Sequence, residues 1–559
     1  MPLVLNAVFS SAGGVSRGLG ALVMVPLFAC SGTVNSSASD ASNDGEGGGG
    51  GAGGDKGGAE AIKCEEQNIS PRIWRLTPEQ YRHTAALAFG INELETGSFP
   101  ADPRDAKTGF PNGSQSLFLG GTLTNSVFTQ TESFSGKAVK ALSQQRPCML
   151  ASTVDETCVK GFVRDVGLRA FRRPLTDEEQ TRFVALHQKQ FSTLKAEGAA
   201  EALAQAFLLS PHMLYRFELG DGADKTTLSN YEMASALAYG LTDRPPSAQL
   251  LAAAAEGRLS DPKQRSEFAK GLAESTEAKE KFAQFLYWQM GLYKLDDKRA
   301  ELGDGLVNSA VAEVKAFAKH VLDGESPTLE TLYRAPTSFV DANLAPVYGL
   351  NEKPGSLTRV DLNPKERSGL FTQPGWLMAS NGPIHRGKMI REMFLCQDIP
   401  LPPANAGNLI MQLPNTPKEW TQREKWNTFV EERAGCAACH VQFEPLGFPF
   451  ERYDDKGKYR NENEHGRLIA TDGKIEGAED WSGEFDGVGD LVGKLLASPS
   501  GRNCFVQRYM TYVMGTPINN ASSSCLTRDV GQKFADDGLN LQRLMVAGVT
   551  DNGFVTRAR

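Results

Sequence analysis

The 559-residue sequence lacks several features that would assign it to a familiar class. Lysine and arginine number 59 against 67 aspartate and glutamate residues, so no cationic surplus is available to neutralise a phosphate backbone, and we expect no nucleic-acid partner. Beyond the first thirty residues, no apolar run is long enough to span a membrane. No Walker-type loop, Ser/His/Asp motif or repeat of fixed period stands out, so nucleotide hydrolases, serine hydrolases and repeat architectures find no support.

What is present indicates a folded chain of several domains. The length exceeds what one ordinary hydrophobic core can organise. Hydrophobic residues make up 40% and charged residues 23%, which is typical of globular proteins. The charge balance gives a formal net charge of -8.

Most of the body has the patterns of helices. Capping boxes predict helix starts at Thr77, Thr176 and Ser229. In a capping box, a hydroxyl and a carboxylate or amide three residues later satisfy free backbone N–H groups at the start of the helix. Apolar residues at spacings of three and four predict further helices near 277–294 and 306–322. Strand-like stretches are short and lie near 357–362 and 467–471. We therefore predict a mainly α, multi-domain fold.

The first thirty residues resemble an export signal. Arg17 is the single early charge, the apolar run Leu19–Ala29 follows it, and Cys30 comes next. The sequence of residues 27–30, Leu-Phe-Ala-Cys, is similar to the lipobox of bacterial lipoproteins, in which the cysteine becomes the lipidated N-terminus. The alternative is an ordinary signal peptide with a chance cysteine. We predict lipidation at Cys30.

Residues 31–63 are rich in Ser, Asn, Asp and Gly and have few large apolar side chains. Such a segment cannot bury enough surface to fold, so it is predicted to be a flexible linker. Ser31, beside the cysteine, is compatible with sorting to an outer membrane. A lipidated cysteine followed by a linker and a folded body leads us to expect a lipoprotein of the bacterial cell envelope, held at the outer membrane by its lipid anchor.

Nine cysteines are present. Cys30 is assigned to lipid, and two more cysteines belong to the motif described next, so six remain. An even number of remaining cysteines fits disulfides in an exported protein. Six buried free thiols are the alternative. Sequence proximity suggests the pairs Cys148 with Cys158, Cys504 with Cys525 and, as the remainder, Cys64 with Cys396.

Residues 436–440, Cys-Ala-Ala-Cys-His, are the strongest chemical signal in the sequence. Two thiols three positions apart can each add to one of the two vinyl groups of a haem, and the imidazole on the next residue is then directed at the iron. We therefore predict one haem of the c type, attached through Cys436 and Cys439, with His440 as the proximal iron ligand.

Two other uses of this motif are weaker. A zinc site would need two more ligands at suitable spacing, whereas Cys504 and Cys525 are distant and single. A thioredoxin-like dithiol belongs near a βαβ unit. Here an amphipathic helix is predicted over 423–434, before the motif, and residues 441–449 are predicted to form a loop.

The second axial ligand is less well defined by the sequence. An electron carrier usually fills this position with Met or His. His385 is the first candidate because it falls in residues 381–387, which are predicted to form a Gly/Pro-rich loop in the same segment as the haem motif. Met378 is the next candidate. An open distal face is the alternative, and four other methionines fit helix cores better: Met389, Met393, Met510 and Met514.

Several blocks of the sequence, in order, resemble a known family. It comprises large secreted proteins, common in planctomycetes and myxobacteria, with serial domains of unknown function (the central one numbered fifteen ninety-two) around a planctomycete-type cytochrome c segment. The blocks that carry the resemblance are Arg75–Tyr81, Phe171–Thr176, Leu208–Arg216, His385–Cys396, Leu401–Pro403, Cys436–His440, Pro445–Phe448, Glu451–Asp454 and Cys504–Gly515.

One position departs from the family pattern. Phe443-Glu444 stands where the family commonly has Met-Asp, which removes a candidate sulfur ligand. The backbone carbonyl of Pro445 is a candidate acceptor for the ring N–H of His440. The resemblance implies a secreted or envelope c-type haem protein, but it implies no particular reaction or substrate.

The predicted organisation follows from these observations. Its parts are a signal peptide at 1–30, a linker at 31–63, helical domains at 64–160, 161–224 and 225–355, a cytochrome c-like haem domain at 364–462, and a C-terminal helical domain at 478–557. We expect single-electron transfer to a redox partner that the sequence does not identify. The alternatives are a haem enzyme of the peroxidase or oxidase type with an open distal site, and a surface protein that binds polysaccharide.

Overall fold

A computed structural model describes residues 69–91, 99–106, 108–380, 382–399, 416–432, 437, 439–475, 480–518 and 524–558. These residues belong to one unit that runs from Lys63 to Arg559. Helices dominate it and the sheets are small, which confirms the prediction of a mainly α fold. The predicted signal peptide, Cys30 and the predicted linker lie outside the described residues.

The α-helices of the described residues vary from one turn to 32 residues. In chain order they are α1 (Pro78–Phe89), α2 (Gly121–Gln145), α3 (Glu156–Phe171), α4 (Asp177–Leu208), α5 (Pro211–Leu214), α6 (Asn230–Thr242), α7 (Ala248–Ala255), α8 (Pro262–Ala273), α9 (Thr276–Gln289), α10 (Arg299–Leu302), α11 (Asp304–Asp323), α12 (Leu329–Arg334), α13 (Ala345–Tyr348), α14 (Pro374–Ala379), α15 (Gly382–Phe394), α16 (Gln422–Glu432), α17 (Glu444–Gly447), α18 (Gly487–Ala497), α19 (Pro499–Met514), α20 (Cys525–Asp536), α21 (Leu541–Thr550) and α22 (Asn552–Val555).

Short 3-10 helices and two-stranded antiparallel sheets complete the described architecture. The 3-10 helices are Pro147–Leu150, Arg258–Ser260, Leu292–Lys298, Gly369–Thr372 and Phe448–Arg452. The paired strands are β1 (Arg72–Arg75) with β2 (Tyr215–Glu218), β3 (Lys225–Thr227) with β8 (Thr556–Ala558), β4 (Thr337–Val340) with β5 (Thr358–Asp361), and β6 (Asp472–Ile475) with β7 (Gly483–Asp486).

Local sequence signals set many of these boundaries. Thr77, Thr176 and Ser229 each form the predicted capping box at the start of α1, α4 and α6. The strand predicted near 357–362 is confirmed as β5, whereas the one predicted near 467–471 is wrong, because β6 begins only at Asp472. Such errors arise because short strands depend on a distant partner as well as on local propensity.

Two predictions of loops are also wrong. Residues 382–387 lie in α15, and residues 444–452 form α17 and the 3-10 helix that follows it. Both segments contain Gly and Pro, which usually interrupt helices. Here Pro383 and Pro445 occupy first-turn positions, where a missing N–H costs no intrahelical hydrogen bond.

Among the described residues, two hydrophobic clusters form the core. One is built from α1 to α4 and includes Tyr81, Phe134 and Phe207. The larger cluster joins the rest of the described chain and takes residues from the predicted central, haem and C-terminal segments. Among its fully buried members are Phe317, Trp376 and Phe450. The three segments therefore share one apolar interior.

The predicted disulfide between Cys148 and Cys158 is confirmed. It links the 3-10 turn Pro147–Leu150 to the first turn of α3, and the two Cα atoms are 6.3 Å apart. This is the pairing that sequence proximity favours, because only a short connection separates the two elements.

The predicted pairing of Cys504 with Cys525 is wrong. Cys504 pairs with Cys396, which stands 108 residues earlier, and their Cα atoms are 5.4 Å apart. The end of α15 therefore lies beside α19, so the assignment of Cys396 to Cys64 is wrong as well. Cys525 is disulfide-bonded to a cysteine other than Cys504. Proximity in sequence failed here because packing of the two helices decides which thiols meet.

Glu218 organises the junction between the early part of the chain and its C-terminus. Its carboxylate is 2% exposed and accepts hydrogen bonds from Arg72, Arg216 and Arg557, the last at 2.5 Å. Burial opposes ionisation, but the three guanidinium groups together lower the pKa of Glu218 below its usual range. The cluster connects β1, β2 and β8, so loss of this carboxylate would leave the buried guanidinium groups of Arg216 and Arg557 without their shared partner.

Glu313 on α11 is a buried carboxylate of a different kind. It is fully buried, and its Oε1 accepts hydrogen bonds from the hydroxyls of Ser338, at 2.5 Å, and Tyr348. Oε2 has no hydrogen-bond partner among the described residues. Burial raises the pKa of Glu313 to about 7, although the two hydroxyls and the charge of Arg367 act in the opposite direction. The neutral acid is therefore the form that the fold favours.

This shift predicts a pH-dependent stability. Because the pKa of Glu313 is about 7 in the folded chain and 4.5 for an ordinary glutamate, its contribution is complete below pH 4.5 and is lost as the pH rises through 7. The expected loss is up to roughly 3 kcal/mol. Glu313→Gln, which imitates the neutral acid, should flatten this part of the profile.

The measurement is the free energy of unfolding by chemical denaturation across this pH range. The control is Glu330→Gln, which makes the same substitution at an exposed carboxylate on α12 and should keep the wild-type profile. Equal pH profiles for wild type and Glu313→Gln would contradict the prediction.

Candidate functional site

The structure describes only part of the predicted haem-binding motif. Cys439 and His440 are described, and both are helical and partly exposed. Cys436 lies outside the described residues. Of the cysteines that the structure describes, Cys439 is the free one, while the others are in disulfides. A free thiol next to an imidazole is what one half of a haem-attachment motif requires.

The helix that leads to this motif is fixed at its N-terminus. Helix α16 begins with a capping box, in which Thr421 accepts from the N–H of Glu424 and Glu424 accepts from the N–H of Thr421. Glu451, from the segment after the motif, accepts hydrogen bonds from the backbone N–H groups of Gln422, at 2.7 Å, and Arg423. This buried carboxylate lies where the helix dipole favours negative charge, so it connects the two sides of the motif.

Aromatic rings surround the imidazole of His440. Trp426 stacks on it with the ring centroids 5.4 Å apart and an interplanar angle of 22°. Phe443 lies 5.0 Å away at a tilt of 45°, and Phe429 contacts it edge-on at 6.2 Å. Phe429 and Phe443 are buried. The predicted amphipathic helix thus supplies two of the three rings and holds the imidazole in a restricted orientation.

Glu444 is hydrogen-bonded to the imidazole. The Nδ1 atom of His440 and the Oε1 atom of Glu444 are 2.5 Å apart, and Glu444 is 4% exposed. A carboxylate oxygen accepts, so the imidazole tautomer that fits this contact donates from Nδ1 and keeps its lone pair at Nε2. This is the arrangement found in histidines that bind a metal through Nε2.

The expectation that the carbonyl of Pro445 accepts this N–H is wrong. The Pro445 carbonyl instead lies against β6, where a methyl group on Gly473 would be 2.7 Å from its oxygen. Glu444 takes the role because α17 starts one residue before the proline and places the carboxylate four positions after His440. In the sequence, Glu444 stands out only as part of a departure from the family pattern, and its role as partner of His440 was not predicted. The i, i+4 spacing from the histidine was the signal that could have identified it.

A direct backbone contact places α17 against α15. A methyl group on Gly387 would lie 1.9 Å from the carbonyl oxygen of Phe443, and one on Gly447 would lie 1.7 Å from that of Pro383. No other residue fits at either position without moving the backbone. Glycine at both positions therefore allows the two helices to touch and sets the location of Glu444.

Two arginines on α15 reinforce this contact. Arg386 is 1% exposed and donates to the carbonyls of Phe450, at 2.6 Å, and Leu377. Arg391 donates to the carbonyl of Gln442 at 2.7 Å. Both guanidinium groups thus join α15 to the backbone of neighbouring segments. Burial lowers the pKa of Arg386 to about 10, so it still carries its charge at neutral pH.

His385 lies elsewhere on the same helix. Pro383 and Gly387 lie on the face of α15 that contacts α17. His385 is two residues from each of them, a rotation of about 200° around the helix, so it lies on a different face. Its side chain is exposed. His385 as the second axial ligand remains a prediction. Met378 is 1% exposed within the larger core.

The described residues contain no cluster of three or more His, Cys, Asp and Glu side chains that could hold a metal ion by themselves. What they offer is one imidazole with a fixed tautomer and one free thiol beside it. This donor set fits a haem that brings four iron ligands of its own. The fit rests on the Nδ1 hydrogen bond of His440 and on the unpaired state of Cys439.

Three family models match the chain in series. PSD5, a protein of unknown function (DUF1595), matches residues 158–218; PSD4, a protein of unknown function (DUF1592), matches residues 228–350; and PSCyt3, a protein of unknown function (DUF1588), matches residues 367–463. The PSCyt3 match covers α15, α16, Cys439 and His440, and its name indicates a planctomycete cytochrome c-type segment.

No curated protein and no solved structure matches the chain. The family models alone therefore place it, and their order along the chain is the order that the sequence blocks suggested. The chain belongs to the multi-domain family in which domains of unknown function stand in series with a planctomycete-type cytochrome c segment.

Proposed function

We propose that the chain carries one haem c, attached through Cys436 and Cys439 with His440 as proximal iron ligand, and that it transfers single electrons at the bacterial envelope. The observation that carries the proposal is the hydrogen bond from His440 Nδ1 to the buried carboxylate of Glu444, beside the free thiol of Cys439. The match to a family model whose name indicates a cytochrome c-type segment supports it.

The residues around the motif have distinct roles in this proposal. The haem, when bound, supplies one-electron chemistry at its iron. Glu444 holds the proton at Nδ1 of His440, which keeps Nε2 free to bind the metal. Trp426 and Phe443 contact the ring of His440 and restrict its rotation. A fixed ligand orientation lowers the reorganisation that electron transfer needs.

Haem attachment is the first prediction of the proposal. When the protein is produced together with a c-type maturation system, the denatured wild type should retain haem, seen by haem staining after gel electrophoresis. Cys436→Ala/Cys439→Ala should lose the signal, because no thioether can form. The matched control is Cys148→Ala/Cys158→Ala, which removes a disulfide pair away from the motif and should keep the haem. A wild-type protein without covalent haem would refute the proposal.

The state of the second axial position separates an electron carrier from a haem enzyme. A carrier keeps this position filled, so the reduced wild type should not bind carbon monoxide, as measured by optical spectroscopy. His385→Ala removes the first candidate for this ligand and should therefore bind carbon monoxide. Rapid binding by the wild type would favour a peroxidase- or oxidase-type enzyme. Binding that appears only in His385→Ala would identify that histidine as the ligand.

We also propose that the protein is exported and anchored to the outer membrane through lipid on Cys30. The apolar run ending in Leu-Phe-Ala-Cys and the Gly-rich segment after it support this. Among the described residues, none of the helices has the length and apolar character needed to cross a bilayer. Stable anchoring by lipid needs two or more acyl chains.

Lipidation predicts a specific mature N-terminus. Mass spectrometry of the protein purified from membranes should find an acylated Cys30 as the first residue. Cys30→Ser should block lipidation and release the protein from the membrane fraction, because the hydroxyl cannot take the place of the thiol that carries the lipid. The control is the neighbouring substitution Ser31→Ala, which should retain the lipid. An unmodified N-terminus at another residue would contradict the proposal.

A further inference from the structure

We infer that Glu444 is a positioning residue that also sets the reduction potential of the site, holding it lower than a backbone carbonyl at the same place would. The inference rests on the proposed function, because it concerns the iron that His440 would bind. It goes beyond that function by assigning a role to a residue outside the attachment motif.

The first observation is the location of the carboxylate. Glu444 is 4% exposed and its Oε1 is 2.5 Å from Nδ1 of His440, whereas the side chain of His440 is 23% exposed. Because Glu444 is withdrawn from water, its charge is screened little, and most of its effect acts on the imidazole. A surface carboxylate at the same distance would have a much smaller influence.

The second observation is the enclosure of the pair. Trp426 stacks on the imidazole and Phe443 covers it from another direction, with centroid distances of 5.4 and 5.0 Å. Gly387 and Gly447 allow α17 to pack directly on α15, and the hydrogen bond from Arg391 to the carbonyl of Gln442 holds the segment there. The carboxylate is therefore held against Nδ1 by the fold, and the interaction does not depend on a flexible surface side chain.

The electronic consequence follows from the charge. A carboxylate that accepts a hydrogen bond from Nδ1–H makes the imidazole a more basic ligand. A more basic ligand stabilises the oxidised iron, which carries one more positive charge than the reduced iron. The one-electron reduction is therefore less favourable than it would be with a neutral carbonyl as acceptor.

Glu444→Gln tests this inference, because glutamine keeps an oxygen that accepts from Nδ1 but removes the charge. The expected result is a haem-containing protein whose midpoint potential, measured by redox titration, is more positive than that of the wild type. Glu444→Asp retains the charge on a shorter side chain, so its potential should lie between the other two. The control is Glu462→Gln, at an exposed carboxylate in the same segment, which should leave the potential unchanged.

A second measurement uses the wild type itself. The reduced-minus-oxidised infrared difference spectrum should contain a carboxylate band, which Glu444→Gln should remove and Glu462→Gln should retain. Absence of that band from the wild type would overturn the inference even if Glu444→Gln did not fold. With haem attached, equal potentials for wild type and Glu444→Gln would overturn it too, and so would equal shifts in Glu444→Gln and Glu444→Asp. Absence of haem from the wild type would instead refute the proposed function.

Discussion

The backbone contact between α15 and α17 is the constraint on which the candidate site depends. At Gly387 and Gly447 the two helices approach so closely that a single methyl group would collide with a carbonyl oxygen. The contact places the start of α17 within reach of the imidazole, so that Glu444 meets His440. Arg386 and Arg391 fix the same interface through backbone carbonyls. A pair of glycines thus controls the environment of a side chain that lies several residues away.

This interface is itself supported by the rest of the fold. The disulfide between Cys396 and Cys504 joins the end of α15 to α19, and the larger hydrophobic cluster includes residues of both helices. The segments that match DUF1592 and DUF1588 share that cluster. The haem-motif segment is therefore packed into a common core, and its geometry follows from long-range packing as well as from its own sequence.

The buried carboxylates show how the fold treats negative charge in different surroundings. Glu218 is ionised among three guanidinium groups, whereas Glu313 receives two hydroxyl hydrogen bonds and its pKa rises to about 7 because burial dominates. Glu444 is equally withdrawn from water but has an imidazole as its partner. The partners of the three carboxylates thus differ in kind: three guanidinium groups for Glu218, two hydroxyls for Glu313 and one imidazole for Glu444.

The sequence by itself determined the elements whose cause is local. Capping hydroxyls at Thr77, Thr176 and Ser229 start their helices because each satisfies N–H groups within one turn, and Cys148 meets Cys158 because the connection between them is short. The prediction of a haem-attachment motif at residues 436–440 rests in the same way on the spacing of neighbouring residues.

Only the tertiary structure decided which distant groups meet. It paired Cys504 with Cys396 and placed residues 382–387 in a helix. It also made Glu444, and not the Pro445 carbonyl, the hydrogen-bond partner of His440. The disulfide depends on how α15 packs against α19, with 108 residues between the two cysteines, and loop closure over such a length carries no local sequence signal. The contact between Glu444 and His440 has a local component, their i, i+4 spacing, but it depends as well on the packing of α17 against α15.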